Sequence, residues 1–281
     1  LNSFFAFLAY ALKMTEKDTI KPSQFKRISL LGAFMDVMTK EDLLSQIAAF
    51  IADKNHPKAR LIGNHNLHSL YLCLKNPEFR AAYQKTDLVE IDSMPLIAWG
   101  GLMGHELKRE NRLTYLDFRD DFWAFCQANS YRIHHIGGVP EAVEPARLRL
   151  LADFPNLDLS LDHGYFALGG SEDEAMIQKI EQMRPDILLV GMGMPRQELW
   201  IANHFERLRA RVIMPIGAAF DYEAGLQYQP DRAAGQMGIE WLIRLIHDPK
   251  RLAKRYLIEP WFLVPLMLKD IGQRLRQRPL S

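Results

Sequence analysis

Cysteine is scarce in this sequence. Cys73 and Cys126 are the only two in 281 residues, with no C-x-x-C and no histidine at metal-ligand spacing beside either. A disulfide scaffold and a thiolate zinc site are thereby excluded, and reduced structural thiols suit a cytoplasmic protein. Long apolar runs are missing too. A bilayer span needs ~18 residues, whereas FFAFLAYAL (4 to 12) and WFLVPLML (261 to 268) stop well short. With no basic leader and no small-residue cleavage site, a secretory signal is not expected. There is no low-complexity linker and no internal repeat, which leaves one large α/β domain or one domain with an appendage.

A large charge of one sign is also lacking, since the chain carries only +1 overall. Its distribution is uneven. Residues 231 to 281 hold ten Lys/Arg against five Asp/Glu, so the tail is +5 and the remainder −4. A basic tail on a neutral body points to an anionic partner, either a membrane surface or a phosphorylated ligand. A nucleic-acid partner is not expected.

What is present is an alternation of short aliphatic runs with helical patterns, the habit of a mainly parallel sheet covered on both faces. Strands are expected at 27 to 32, 59 to 64, 88 to 91, 132 to 138, 157 to 164, 186 to 192 and 211 to 217. Helices are expected between them, as in KEDLLSQIAAFIADK, where Leu43, Leu44, Ile47, Phe50 and Ile51 share one face. The habit changes at GLQYQPDRAAGQMG (225 to 238), after which only helices are expected. Three segments result. Residues 1 to 24 are either an apolar helix or sequence foreign to the native chain, 25 to 230 form a catalytic α/β domain, and 231 to 281 form a basic helical appendage.

The stretch LVGMGMPRQE (189 to 198) supplies Gly191 and Gly193 of a dinucleotide fingerprint but has Arg196 where the third glycine belongs. No acidic residue follows about 20 positions later at a strand end, so NAD is not expected. A glycine turn with Pro195 in the first helical turn would instead leave backbone N–H groups free for an anion, with Gln197 in reach of a ligand.

In parallel sheets, ligands sit beyond the carboxyl ends of the strands. Asp92, closing LVEID, stands where a general base would, or it merely caps the helix that follows. Asn64, His65 and Asn66 close the preceding strand and suit hydrogen bonds to a sugar or a base. His65 and His68 could be imagined with Asp92 as metal ligands, but no Asp-x-Asp follows a strand and no bound metal is expected. In the tail, Arg244 and Arg251 lie seven apart among Lys250, Lys254 and Arg255, with Trp241, Leu245, Leu252 and Tyr256 interleaved. Guanidinium pairs clamp diphosphates well. The same pattern also describes a basic amphipathic helix on anionic lipid.

Together these segments resemble the WecG/TagA/CpsF glycosyltransferases, also called glycosyltransferase family 26. The matching residues are Asn66; Asp92 with Met94-Pro95-Leu96; Arg112 with Thr114 and Asp117; Gly191-x-Gly193-x-Pro195-x-Gln197-Glu198; the run Gly217 to Gly225; and Gly238-x-Glu240-Trp241-Leu242-x-Arg244 with Pro249, Arg251, Arg255 and Tyr256. The chain differs from the pattern at Ser93, at Tyr115, at Asn64 and at Arg232-Ala233-Ala234-Gly235.

The resemblance implies a Rossmann-like fold. It also implies an inverting enzyme that moves a sugar from a UDP-sugar to a polyprenyl-diphosphate-linked glycan, peripherally at the cytoplasmic face of the membrane, with no cofactor or obligatory metal. By motif position Asp92 is then the base, while Asn64, Asn66, Arg112, Gly191, Gly193, Gln197 and Asp221 bind substrate and Arg244 and Arg251 hold the leaving diphosphate. N-acetylmannosamine, its uronic acid and glucose are all plausible sugars, and a homo-oligomer is an alternative use for the apolar tail. A catalytically impaired nucleotide-sugar-binding regulatory module is the runner-up. A glycoside hydrolase, third, would need Glu90 or Asp221 to flank Asp92 across a sugar.

Overall fold

The computed structural model describes residues 24–227 and 240–277. The expected residue 1 to 24 segment and the hinge near 231 therefore lie largely outside the described residues.

The runs LVEI, ILLVG and VIMP are buried at every position, as strands covered on both faces must be. They become β4 (Leu88–Ile91), β7 (Ile187–Gly191) and β8 (Val212–Pro215) of a six-stranded sheet. Its other strands are β3 (Arg60–His65), β5 (Arg132–Gly137) and β6 (Asp158–Asp162). Every pairing is parallel, in the order β4-β3-β8-β7-β5-β6. The chain runs outward from β3 to β4, crosses to β5 and β6, then returns through β7 to β8 beside β3. That reversal opens a crevice at the carboxyl ends of the central strands.

Helices α1 (Lys40–Ala52), α2 (Leu67–Lys75), α3 (Pro77–Tyr83), α4 (Met94–Leu102) and α5 (Tyr115–Ala128) come from the first half. From the second half come α6 (Val143–Asp153), α7 (Ser171–Met183), α8 (Arg196–His204) and the short α9 (Ala219–Glu223). They bury the sheet between two apolar layers. One holds Leu43, Ile47, Phe122 and Trp123, and the other Ile177, Ile180, Trp200 and Ile201.

The N-terminal run folds differently from expectation. Instead of joining the large sheet, β1 (Lys26–Leu30) pairs antiparallel with a second strand, β2 (Ala33–Val37), through a two-residue turn. Leu31 and Gly32 both take positive φ, 52° and 74°, as such a turn requires. Leucine is an unusual choice there. Its side chain is buried, and its amide donates to Asp270 Oδ2 at 2.9 Å.

Asp270 belongs to the C-terminal helices, α10 (Glu240–His247), α11 (Pro249–Ala253) and α12 (Val264–Gln277), with a widened turn at Lys254–Ile258 and a tight one at Glu259–Leu263. The same carboxylate accepts from Trp99 Nε1 at 2.9 Å. Leu263 and Leu266 are buried against Ile28, Leu30, Leu96 and Ile97. The appendage thus completes a core that the hairpin and α4 begin.

Candidate active site

Asn66 and Asp92 sit at the ends of neighbouring strands β3 and β4, where the backbones still bond, Asp92 N to His65 O at 2.8 Å. Asn66 is the N-cap of α2: its Oδ1 accepts from Ser69 N at 3.1 Å, and its own amide donates to Ser69 Oγ. That leaves Nδ2 free to donate to Asp92 Oδ2 at 3.2 Å. Asp92 is no cap. The N-cap of α4 is Ser93, and it makes no side-chain capping bond.

Burial lifts the Asp92 pKa above the ordinary aspartate value, opposed by the hydrogen bond from Asn66, the charge of Arg244, the hydroxyl of Thr114 and the charge of Arg112. The result is a carboxylate of raised basicity held by donors on several sides. His65 and His68 do not converge on it. The His65 ring stacks on Tyr83 at 4.2 Å and burial pulls its pKa to about 3, while His68 pairs with Glu259 of the appendage at 2.5 Å.

Two cavities meet at Asp92. The larger, about 810 Å³, follows the carboxyl ends of the sheet and is bordered by Asn64, Glu90, Gly191, Gly193, Gln197, Asp221 and Arg251. The smaller, about 300 Å³, lies under the appendage between Met94, Pro95, Arg112, Trp241 and Pro260. Asn66, Asp92, Thr114 and Arg244 border both. Nearly every residue that the sequence singles out is thus gathered here.

Individual placements sharpen those expectations. Gly191 permits a close strand approach, since a Cβ there would lie 2.7 Å from Gly217 O, and Gly193 takes φ 77°. The N–H groups expected to await an anion are partly consumed. Gly193 N donates to Gln197 Oε1 at 3.0 Å, and Gln197 N to Gly193 O at 3.0 Å. Gln197 itself is fully buried, and its Oε1 also takes Gly217 N at 3.2 Å while Nε2 donates to Glu198 at 2.7 Å. Its carboxamide ties the β7 and β8 loops together.

Arg112 pairs with Asp117 at 2.6 Å. Arg244 lies over the Tyr222 ring at 5.4 Å, and Arg251 borders the large cavity while bonding Asp248 at 2.5 Å. Asp221 faces the same space, its pKa raised by burial against the charge of Arg251. Glu90 projects beside Asp92 from the same strand face, so it cannot flank a sugar opposite Asp92 as a glycosidase pair would.

Comparison with known proteins decides the family. The profile of the "Glycosyl transferase WecG/TagA/CpsF family" matches residues 28–277. The chain belongs to this family of glycosyltransferases. Two relatives from Staphylococcus aureus, of strains MW2 and NCTC 8325 / PS 47, are each named N-acetylglucosaminyldiphosphoundecaprenol N-acetyl-beta-D-mannosaminyltransferase. Each is 27% identical to this chain over 240 residues, spanning 83% of it and 89% of the relative. Among the described residues of this glycosyltransferase, no helix is long and apolar enough to cross a membrane.

Some of the site was not foreseen. The His68–Glu259 pair and the Asp270 contacts depend on an appendage whose docking no local pattern encodes. Beneath the cleft, Glu223 accepts from Tyr115 Oη at 2.6 Å and from Arg119 at 2.7 Å through both Nε and Nη2. Tyr115, one of the chain's departures from the family pattern, thereby braces α9, which carries Asp221.

Proposed function

We propose that this glycosyltransferase moves a hexose-type sugar, with inversion, from a UDP-sugar to a polyprenyl-diphosphate-linked acceptor at the cytoplasmic face of the membrane. The observation that carries the reading is the position of Asp92 at the seam of two cavities. The larger has the size and the strand-end location for a nucleotide-sugar. The smaller, rich in apolar side chains, opens toward the appendage. A base at the seam touches the acceptor hydroxyl while facing the donor's anomeric carbon from the side opposite the leaving group.

Asp92 takes the hydroxyl proton as the acceptor oxygen bonds to that carbon and the bond to UDP breaks. Asn66 and Thr114 hold the carboxylate, and its raised pKa suits proton removal near neutral pH. Charge grows on the departing diphosphate. Arg244, Arg251, Lys254 and Arg255 enter the cleft from the appendage and supply the countercharge. Because those cations do so, transfer should persist in a chelator. Asn64, Gly191, Gly193 and Asp221 shape the donor pocket, Gln197 holds its loops, and Arg112 binds substrate from the smaller cavity.

In this reading residues 25–230 are the catalytic body and 231–281 the membrane-associating appendage. Leu257, Ile258, Trp261 and Leu268 leave large apolar surface exposed, with Lys250 and Lys269 near them in sequence, the composition of an interfacial anchor on anionic lipid. The S. aureus relatives' names, a mannosaminyl transfer to a diphosphoundecaprenol-linked N-acetylglucosamine, support that substrate class for this chain as well.

The test is calorimetric binding of a UDP-sugar panel, then transfer assays with the best donor and a polyprenyl-diphosphate N-acetylglucosamine. Release of UDP coupled to acceptor glycosylation is expected. Tight donor binding without transfer would return the chain to the regulatory-module reading.

A further inference from the structure

Glu90 is a carboxyl that neither the base role nor the diphosphate clamp uses. It lies on β4 two positions before Asp92, whose backbone continues the strand's pairing, so both side chains leave the same face, and it lies directly across from Asn64 in the β3–β4 register. Only 4% of Glu90 is exposed, it borders the larger cavity, and its Oε1 has no hydrogen-bond partner. Asn64 repeats the situation. Its Nδ2 is committed to Pro215 O at 2.8 Å, while its buried Oδ1 has no partner. Around them the cavity is lined by Ile62, Leu116 and Met214.

A buried acceptor without a donor is expensive, and proteins keep few of them. Two side by side at the bottom of a cavity describe a site that a ligand completes by bringing donors. We infer that Glu90 and Asn64 form the floor of the sugar pocket, taking hydrogen bonds from adjacent O–H or N–H groups of the transferred sugar. Glu90 thereby sets specificity against a sugar that carries a carboxylate there. This rests on the nucleotide-sugar reading of the cleft.

The chemistry of the floor explains the preference. A carboxylate brings only acceptors, and here it would meet Asn64 Oδ1, with Asp92 close by and aliphatic side chains around it. Burial, and secondly the charge of Asp92, hold the Glu90 pKa well above the ordinary carboxylate range. A floor that resists the charge of its own carboxyl resists a ligand's carboxylate as well. The arginines that border the larger cavity, Arg244, Arg251 and Arg255, enter from the appendage and serve the diphosphate, while Arg112 borders the smaller cavity and pairs with Asp117. A neutral hexose or N-acetylhexosamine fits this floor, and its uronic acid does not.

The experiment measures donor binding by calorimetry, and kcat and KM for transfer, on the full chain with two matched pairs: UDP-glucose with UDP-glucuronic acid, and UDP-N-acetylmannosamine with its uronic acid. The neutral member of the pair that is used should be favoured at least about tenfold in kcat/KM. Glu90→Leu should raise KM for that donor about tenfold with kcat within about threefold, and Glu90→Gln, which keeps a donor and an acceptor in the same shape, should raise it by no more than about threefold.

A wild-type preference for the uronate, or an unchanged KM in a folded Glu90→Leu, overturns the inference. If Glu90→Leu does not fold, the wild-type donor preference alone decides. Should the wild type neither bind nor turn over any of the four, the nucleotide-sugar reading itself fails and takes this inference with it. Binding with the opposite preference removes only the role of Glu90.

Discussion

Asn66 serves two neighbours with one carboxamide: its Oδ1 caps α2, and its Nδ2 reaches Asp92 Oδ2 at 3.2 Å. The helix start therefore fixes the orientation of the proposed base. Serine and alanine separate the two duties. Asn66→Ala should lose about 1 kcal/mol of stability along with most activity, whereas Asn66→Ser keeps the cap and loses only activity. Chemical denaturation beside a transfer assay reads both, and full activity in Asn66→Ser would show that the contact to Asp92 is dispensable.

Asp92 must be ionised to accept a proton, and burial raises its pKa above the ordinary aspartate value. Activity should therefore fall with acid along a limb displaced toward neutrality, and Asp92→Asn should cost about 10²-fold to 10⁴-fold in kcat. Stability moves the other way. The folded state disfavours the charged form, so Asp92→Asn should melt higher than wild type at neutral pH, with the gap closing as acid protonates Asp92. A melting series against pH checks the sign.

Glu198 holds Gln197 from behind, and burial lifts its pKa to about 7. A carboxyl raised on folding contributes stability below its unfolded value, and that contribution is lost as pH climbs through the folded one. Glu198→Gln keeps the acceptor for Gln197 without the charge. It should be as stable as wild type below about pH 4 and more stable than wild type at pH 8, by at most about 3 kcal/mol.

Trp261 is 73% exposed and Leu268 64%. If they enter a lipid headgroup layer, changing both to alanine should weaken binding to phosphatidylserine vesicles by about tenfold or more. High salt should release the wild type. Unchanged pelleting of the double variant would move the membrane contact elsewhere.

The sheet was legible because parallel strands buried on both faces must be continuous apolar runs, as at Ile187–Gly191 and Val212–Pro215. The meeting of Asp92, Asn66 and Arg244 in one cleft was legible because ligands in such folds sit where strands end and anions where cations cluster. β2 was not, since Leu31 takes a backbone conformation that its residue type does not announce. Nor was the inward set of Gln197. A glutamine in a first helical turn can face a ligand or the backbone, and only the packed β7 and β8 loops decide. Glu90 shows a third limit, because its environment comes from Asn64 and Asp92 together with a cavity that exists only after folding.

The hydrogen bond from Leu31 to Asp270 joins positions 239 apart in sequence. Long-range closure of this kind is slow to form and late in synthesis, when the strands of the sheet have already emerged. Leu263 and Leu266 arrive with it, covering Ile28 and Leu30. A growing or shortened chain that lacks α12 therefore leaves the apolar side of the hairpin and α4 uncovered. Until that helix docks, the hairpin and α4 keep an apolar face that another chain could cover.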